Sequence, residues 1–176
     1  KQQSYMAFMT LFWTGIRIGE LLALNVADVD FEKRTISIMK SYQRMGGRDV
    51  ITEPKTPKSK RVIAIPQFLA VDLQDYVNSM YGVQGEDRLF PITKYYLEHE
   101  MQRGIKESGV KRIRIHDLRH SHASLLVEMG FSPLEIANRL GHEKIETTLN
   151  TYSHLYPDKQ EQLADRLDKE YREGLS

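Results

Sequence analysis

The chain has 176 residues, 40% of them hydrophobic, with 25 lysines and arginines against 24 aspartates and glutamates and no cysteine. That length suits one globular domain, no apolar run approaches the ~18 residues of a membrane span, and without cysteine there is no disulfide framework, thiolate nucleophile or thiolate metal site. The chain opens on Lys1 without a basic-then-apolar leader, which reads as a piece of something longer.

Residues 5–13 are mostly apolar, Thr14-Gly15 breaks the run, and 16–24 resumes with Ile18, Leu21, Leu22 and Leu24 at helical spacing. Residues 25–31 are turn-like. The alternating stretches 35–38 and 49–51, separated by Gly46-Gly47, read as a β-hairpin. Residues 62–65, stopped by Pro66, read as a third strand of the same small antiparallel sheet. Beyond Pro66 the pattern is helical near 67–80, 94–108, 116–129, 133–139, 145–153 and 158–172. Gly82, Gly109, Gly130 and Gly141 are the expected left-handed stops. Ser132-Pro133 is a capping residue followed by proline at the first helical position. In helix 116–129 the expected apolar stripe is Leu118, Leu125, Leu126 and Met129, while His116, Arg119 and Ala123 share another face. The last helix carries a narrow seam, Leu163, Leu167 and Tyr171. The fold class is α+β, mainly helical with a three-stranded antiparallel sheet inserted near the N-terminus.

A net charge of +1 hides an uneven distribution. Residues 33–61 hold nine bases against two acids, and residues 103–119 hold six against two, leaving a net of −10 elsewhere. Two basic windows on an acidic body suit a reader of the phosphate backbone, although solvated surface segments look the same.

His116 and Arg119, three apart on one helix, can address a single anion from the same side, the guanidinium by a two-pronged hydrogen bond. His116 and His120 have a spacing that zinc sites use, yet no glutamate stands between them in the zincin manner, and metal binding is not expected. His122 points toward the apolar stripe and reads as a buried, hydrogen-bonded histidine. Ten residues after His142 stands Tyr152 in a polar segment. It is a surface tyrosine or, beside a held phosphate, a nucleophile.

In order, the chain reads Thr14-Gly15-Ile16-Arg17-Ile18-Gly19-Glu20-Leu21, Lys55-Thr56, His116-Asp117-Leu118-Arg119-His120, Leu140-Gly141-His142 and Thr147-Thr148-Leu149-Asn150-Thr151-Tyr152-Ser153-His154. This set resembles the catalytic domain of the tyrosine recombinases, the phage-integrase family, and most of all integrases of prophages and conjugative transposons. The resemblance covers nearly the whole chain. It implies catalytic roles for Arg17, Lys55, His116, Arg119, His142 and Tyr152, with Glu20 supporting Arg17. Lys58 and Lys60 are rivals of Lys55, which is preferred because a Lys-Thr pair before the third strand fits the family better. Lys58, Lys60, Arg61 and Arg114 are the expected DNA contacts.

The resemblance further implies a site-specific recombinase that integrates or excises a mobile element. Tyr152 would attack a backbone phosphate, forming a 3′-phosphotyrosyl link and freeing a 5′-hydroxyl, with bond energy conserved and no cofactor, ATP or metal required. Arg17 and Arg119 suit the non-bridging oxygens as fixed cations. His142 can add a hydrogen bond. Lys55 suits protonation of the leaving 5′-oxygen, and His116 would accept or orient the Tyr152 proton. Implied too are double-stranded DNA as partner, a homotetramer in the synaptic complex that is monomeric when free, accessory DNA-bending proteins, a cytoplasmic location, and core-binding and arm-binding domains before residue 1. The tail helix would dock in cis or on a neighbouring copy. A non-catalytic helix-turn-helix module is an alternative that needs neither Tyr152 nor a hairpin lysine, and a type IB topoisomerase shares the chemistry without a partner site.

Overall fold

The computed structural model describes residues 2–54, 56–156 and 160–173. Helices α1 (Gln2–Thr14) and α2 (Ile18–Ala23) are separated by a break at Gly15, whose amide donates to the Leu11 carbonyl at 3.0 Å. Gly15 has φ +68°, and a Cβ there would lie 2.5 Å from the His122 ring and 2.8 Å from Leu140. Neither the conformation nor the space admits a side chain. This turn therefore packs directly on the second half of the chain.

The β portion comprises β1 (Val29–Asp30), β2 (Thr35–Ile38), β3 (Ser41–Met45), β4 (Arg48–Thr52) and β5 (Arg61–Ala64). These form two sheets: an antiparallel β1-β2-β5 sheet with Ile36 opposite Ile63, and a separate β3-β4 hairpin turning at Gly46-Gly47. The expected three-stranded antiparallel sheet is present, but its membership differs. Residues 35–38 pair with β5 and not with 49–51, and the strand before the Gly-Gly turn is β3. The reason is local. Ser-Tyr-Gln-Arg-Met of β3 buries only Tyr42, so it lacks the alternation that marks a half-buried strand. In β2, Ile36 and Ile38 are fully buried and need an apolar partner, which Ile63 of β5 supplies.

The remaining helices are α3 (Gln67–Asn78), α4 (Lys94–Ser108), α5 (Ile115–Glu128), α6 (Pro133–Leu140), α7 (Ile145–Tyr152) and α8 (Gln160–Glu173). They lie within a few residues of their expected positions. Ser132 caps α6 as expected: its hydroxyl accepts the Glu135 amide while the Glu135 carboxylate takes the Ser132 amide. No helix among the described residues is long and apolar enough to cross a membrane.

The larger core joins α1, α2, the β1-β2-β5 sheet, α3 and the segment at Leu89 and Phe90. A smaller one contains Ala123, Val127, Ile136, Leu140 and Tyr152. Helix α5 bridges them, and its buried residues are Ile115, Arg119, His122, Ala123 and Val127. The apolar stripe expected for this helix holds in part: Leu118 packs against the larger core and Leu126 against the smaller one. Met129 is 63% exposed, and Leu125 and Leu126 line an open groove of about 430 Å³ with Trp13, Ile65 and Phe131. A buried arginine and histidine share the inner face of the helix, Arg119 held by two backbone carbonyls and His122 Nε2 by Arg139.

Candidate active site

The turn between α1 and α2 presents Arg17 as the residue capping α2. Its side chain is 40% exposed, and Nη1 lies 2.8 Å from Glu20 Oε1. Glu20 is buried and receives Arg17 on one side and Arg61 on the other, Arg61 Nη2 to Oε2 at 2.9 Å. Burial would raise the Glu20 carboxyl, but the Arg61 hydrogen bond and charge, with Arg17 behind them, hold it below its ordinary value. An ionised carboxylate thus fixes the first arginine and leaves its other face open.

Expected among the DNA contacts, Arg61 instead has a side chain only 7% exposed, and it donates to Glu20, to the Ser59 carbonyl and, through Nε, to the Arg139 carbonyl at 2.8 Å. Its guanidinium also fills the space beside Gly141, where a Cβ would meet Nη1 at 2.7 Å and φ is +68°. Arg61 therefore ties β5 to the turn after α6 through bonds to the protein itself. Arg139, unremarked in the sequence, acts in the same way, donating to His122 Nε2 and to the carbonyls of Ala64 and Trp13. No periodicity marks such arginines, since a buried guanidinium and a solvated one have the same letter.

Arg119 projects from α5 between the two turns. It is 4% exposed and donates Nη1 to the Gly15 carbonyl at 2.6 Å and Nη2 to the Leu140 carbonyl at 2.8 Å. Burial, with the charge of Arg17 next, pushes it down to about 9, which leaves it charged at neutral pH. His142 stands in the turn before α7, its Nδ1 held by the Thr148 hydroxyl at 2.7 Å. Tyr152 ends α7, 4% exposed, and shares a 2.8 Å hydrogen bond between its Oη and His120 Nδ1. Burial raises the phenol, and the Arg119 charge opposes that. His116 is exposed one turn before His120, the two rings edge to face at 4.8 Å.

Through the Gly15 and Leu140 carbonyls Arg119 links the turn before Arg17 to the turn before His142, and its charge acts on His142 and on the Tyr152 phenol. The contact to the phenol expected of His116 is made by His120, a residue weighed in the sequence only as a metal ligand. Lys55 lies outside the described residues. Its neighbours Pro54 and Thr56 line a groove of about 380 Å³ with Arg17, Gln43 and Gly141. Lys58 reaches the Glu143 carbonyl and Lys60 pairs with Glu53, both from the exposed surface, and Arg114 is 79% exposed beside Asp117.

Two histidines make the fold acid-sensitive. Burial, then the charge of Arg139, lowers His122 to about 4, and burial, then the charges of Arg119, Arg17 and Arg61, lowers His142 to about 4. Each binds its proton more weakly folded than unfolded, so their contribution is complete above pH ~6.5 and lost as pH falls toward ~4. For buried His122 the loss reaches about 3 kcal/mol. Urea midpoints measured from pH 7 to pH 4 should fall across that window. A midpoint unchanged between pH 6.5 and 4.5 contradicts this account.

In comparisons with known proteins, the model of the phage integrase family matches residues 1–159. The ICEBs1 integrase of Bacillus subtilis (strain 168) is 34% identical over 181 residues, covering 95% of this chain and 49% of that protein. The integrase of Staphylococcus phage L54a is 32% identical over 176 residues, covering 89% of this chain and 49% of that one. Among solved structures, the Tn1549 transposon integrase in complex with a circular intermediate DNA superposes with a TM-score of 0.80 at 25% identity, covering 96% of this chain and 58% of that one. The XerA recombinase, at 22% identity and a TM-score of 0.68 over 97% of this chain and 57% of that one, shares the fold. The chain spans about half the length of the relatives it matches.

Proposed function

This chain belongs to the phage integrase family, and from that premise we propose that it cuts and rejoins DNA strands at specific sites through a covalent bond between Tyr152 and a backbone phosphate. The observation that supports the reading is that Arg119 bonds the turn that leads to Arg17 and the turn that leads to His142, while its charge acts on the Tyr152 phenol. The DNA named for the Tn1549 complex supports duplex DNA as the substrate here. In the transition state negative charge builds on the non-bridging oxygens. Arg119, held by two carbonyls, and Arg17, held by Glu20, meet that charge without reorganising. His142, lowered by burial and kept neutral, adds a hydrogen bond. His116, exposed beside them, is a further donor to the phosphate. Lys55 protonates the leaving 5′-oxygen, which an ammonium can do and a guanidinium hardly can. Lys58, Lys60 and Arg114, all exposed, contact neighbouring phosphates.

The active assembly in this reading is a homotetramer on paired sites in the cytoplasm, monomeric when free and aided by DNA-bending proteins. Helix α8 of one copy lies on the next. In support, Leu163, Leu167 and Tyr171 are 53%, 62% and 70% exposed, while the groove beside Leu125 and Leu126 stands open.

The test uses the full-length protein and a pool of duplexes randomised around a nick. Adducts are expected whose nucleotide maps by mass spectrometry to Tyr152, and the recovered sequence, placed twice in one plasmid, should yield deletion or inversion. Absence of the Tyr152 adduct refutes the reading, and relaxation without recombinants points instead to a topoisomerase. A chain ending at Pro157 should fail in the two-site assay, and normal recombination removes the α8 contact.

A further inference from the structure

We infer that His120 is the group that accepts the phenol proton of Tyr152 as the strand is cut. The inference deepens the reading of Tyr152 as nucleophile and rests on it. A tyrosine hydroxyl attacks poorly as a neutral phenol, and this phenol is buried in the smaller core, where ionisation is opposed. It needs an acceptor already in place. Among the described residues the imidazole bonded to it is His120, whose Nδ1 stands 2.8 Å from Oη, within the reach a general base requires.

The other histidines near the site are engaged elsewhere. His122 accepts from Arg139 through Nε2, and His142 is bonded through Nδ1 to Thr148. His116 is exposed on the helix surface one turn away. His120 is positioned by rigid structure on both sides. It follows Arg119, whose two carbonyl bonds pin that turn of α5, and Tyr152 is packed among Ala123, Val127, Ile136 and Leu140. The pair therefore joins α5 to the end of α7 at the atom that reacts.

The step balances as follows. His120 carries its own hydrogen on Nε2, and Nδ1 takes the proton from Tyr152 Oη as Oη bonds to phosphorus. The bond from phosphorus to the 5′-oxygen breaks, its electron pair leaves on that oxygen, and the general acid proposed above, Lys55, protonates it. His120 becomes an imidazolium and returns the proton to Tyr152 on rejoining. The charged and titratable groups that act on this ring are His116 and Asp117 on α5, His142 before α7 and Tyr152 itself. Asp117 and His120 attract, whereas His116 is lowered by partial desolvation and then by the charge of His120.

The test measures single-turnover adduct formation by the full-length protein on the nicked duplex pool, with DNA binding followed by gel shift. His120→Ala should slow adduct formation at least about 100-fold with binding kept, and free imidazole should restore a large part of the rate. His120→Asn retains a polar atom near the Nδ1 position and guards against misfolding of the alanine protein; it should remain at least about tenfold slow, since an amide does not hold the proton. Wild-type rates in either variant, or a loss in His120→Ala that imidazole leaves unchanged, overturn the inference. If the unmodified protein forms no adduct at Tyr152, the failure lies in the proposed function and not in His120.

Discussion

Tyr152→Phe is expected to abolish the covalent protein–DNA adduct, a loss of at least roughly 10⁴-fold, with DNA affinity changed little. The substitution removes one oxygen and nothing else. The ring remains among Ala123, Val127, Ile136 and Leu140, and the lost contact is one hydrogen bond to His120, worth about 1 kcal/mol. Folding should survive, so the readout separates chemistry from stability. The control is Tyr156, four residues on and packed against the same small core, whose hydroxyl donates to the Phe131 carbonyl at 3.1 Å. Tyr156→Phe should leave adducts intact. Adducts that persist in Tyr152→Phe and vanish in Tyr156→Phe would transfer the nucleophile to Tyr156.

Arg119→Lys is expected to lose at least about 10³-fold in cleavage and, unlike Tyr152→Phe, to cost stability, about 2 kcal/mol in urea unfolding. Arg119 carries two jobs with one fork. Its Nη atoms hold the Gly15 and Leu140 carbonyls, joining the turn that carries Arg17 to the turn that carries His142, and the same positive charge opposes the rise of the Tyr152 phenol. A lysine keeps the charge but cannot span both carbonyls in a plane, so one buried acceptor is orphaned. Arg17 differs, because its side chain is 40% exposed and its partner Glu20 retains Arg61. Arg17→Ala should therefore damage cleavage far more than stability. Cleavage by Arg119→Lys within tenfold of the unmodified protein would remove Arg119 from the chemistry.

The helices were legible in the sequence because their cues are local. Ser132-Pro133 starts α6 and Gly141 ends it, and neither depends on a distant partner. The strands were legible only where they alternate. β2 and β4 do, whereas β3 carries one buried tyrosine among polar neighbours, and so the sequence pattern joins the Gly46-Gly47 turn to β2 in place of β3. The candidate site was legible as an ordered set of residue types, since phosphate chemistry draws on arginine, lysine, histidine and tyrosine whatever the scaffold. Which arginine meets solvent was not.

By itself, then, the sequence determined the helical frame, the order of the chemically able residues and the uneven charge beneath a net of +1. Only the tertiary structure decided that Arg61 is spent on Glu20 and the Arg139 carbonyl, that Arg119 lies inside while Met129 lies outside, and that the phenol of Tyr152 rests on His120. The physical reason is common to all of these. A polar side chain is buried wherever donors and acceptors from distant segments satisfy it, and that pairing is a property of the folded chain that no spacing along it records.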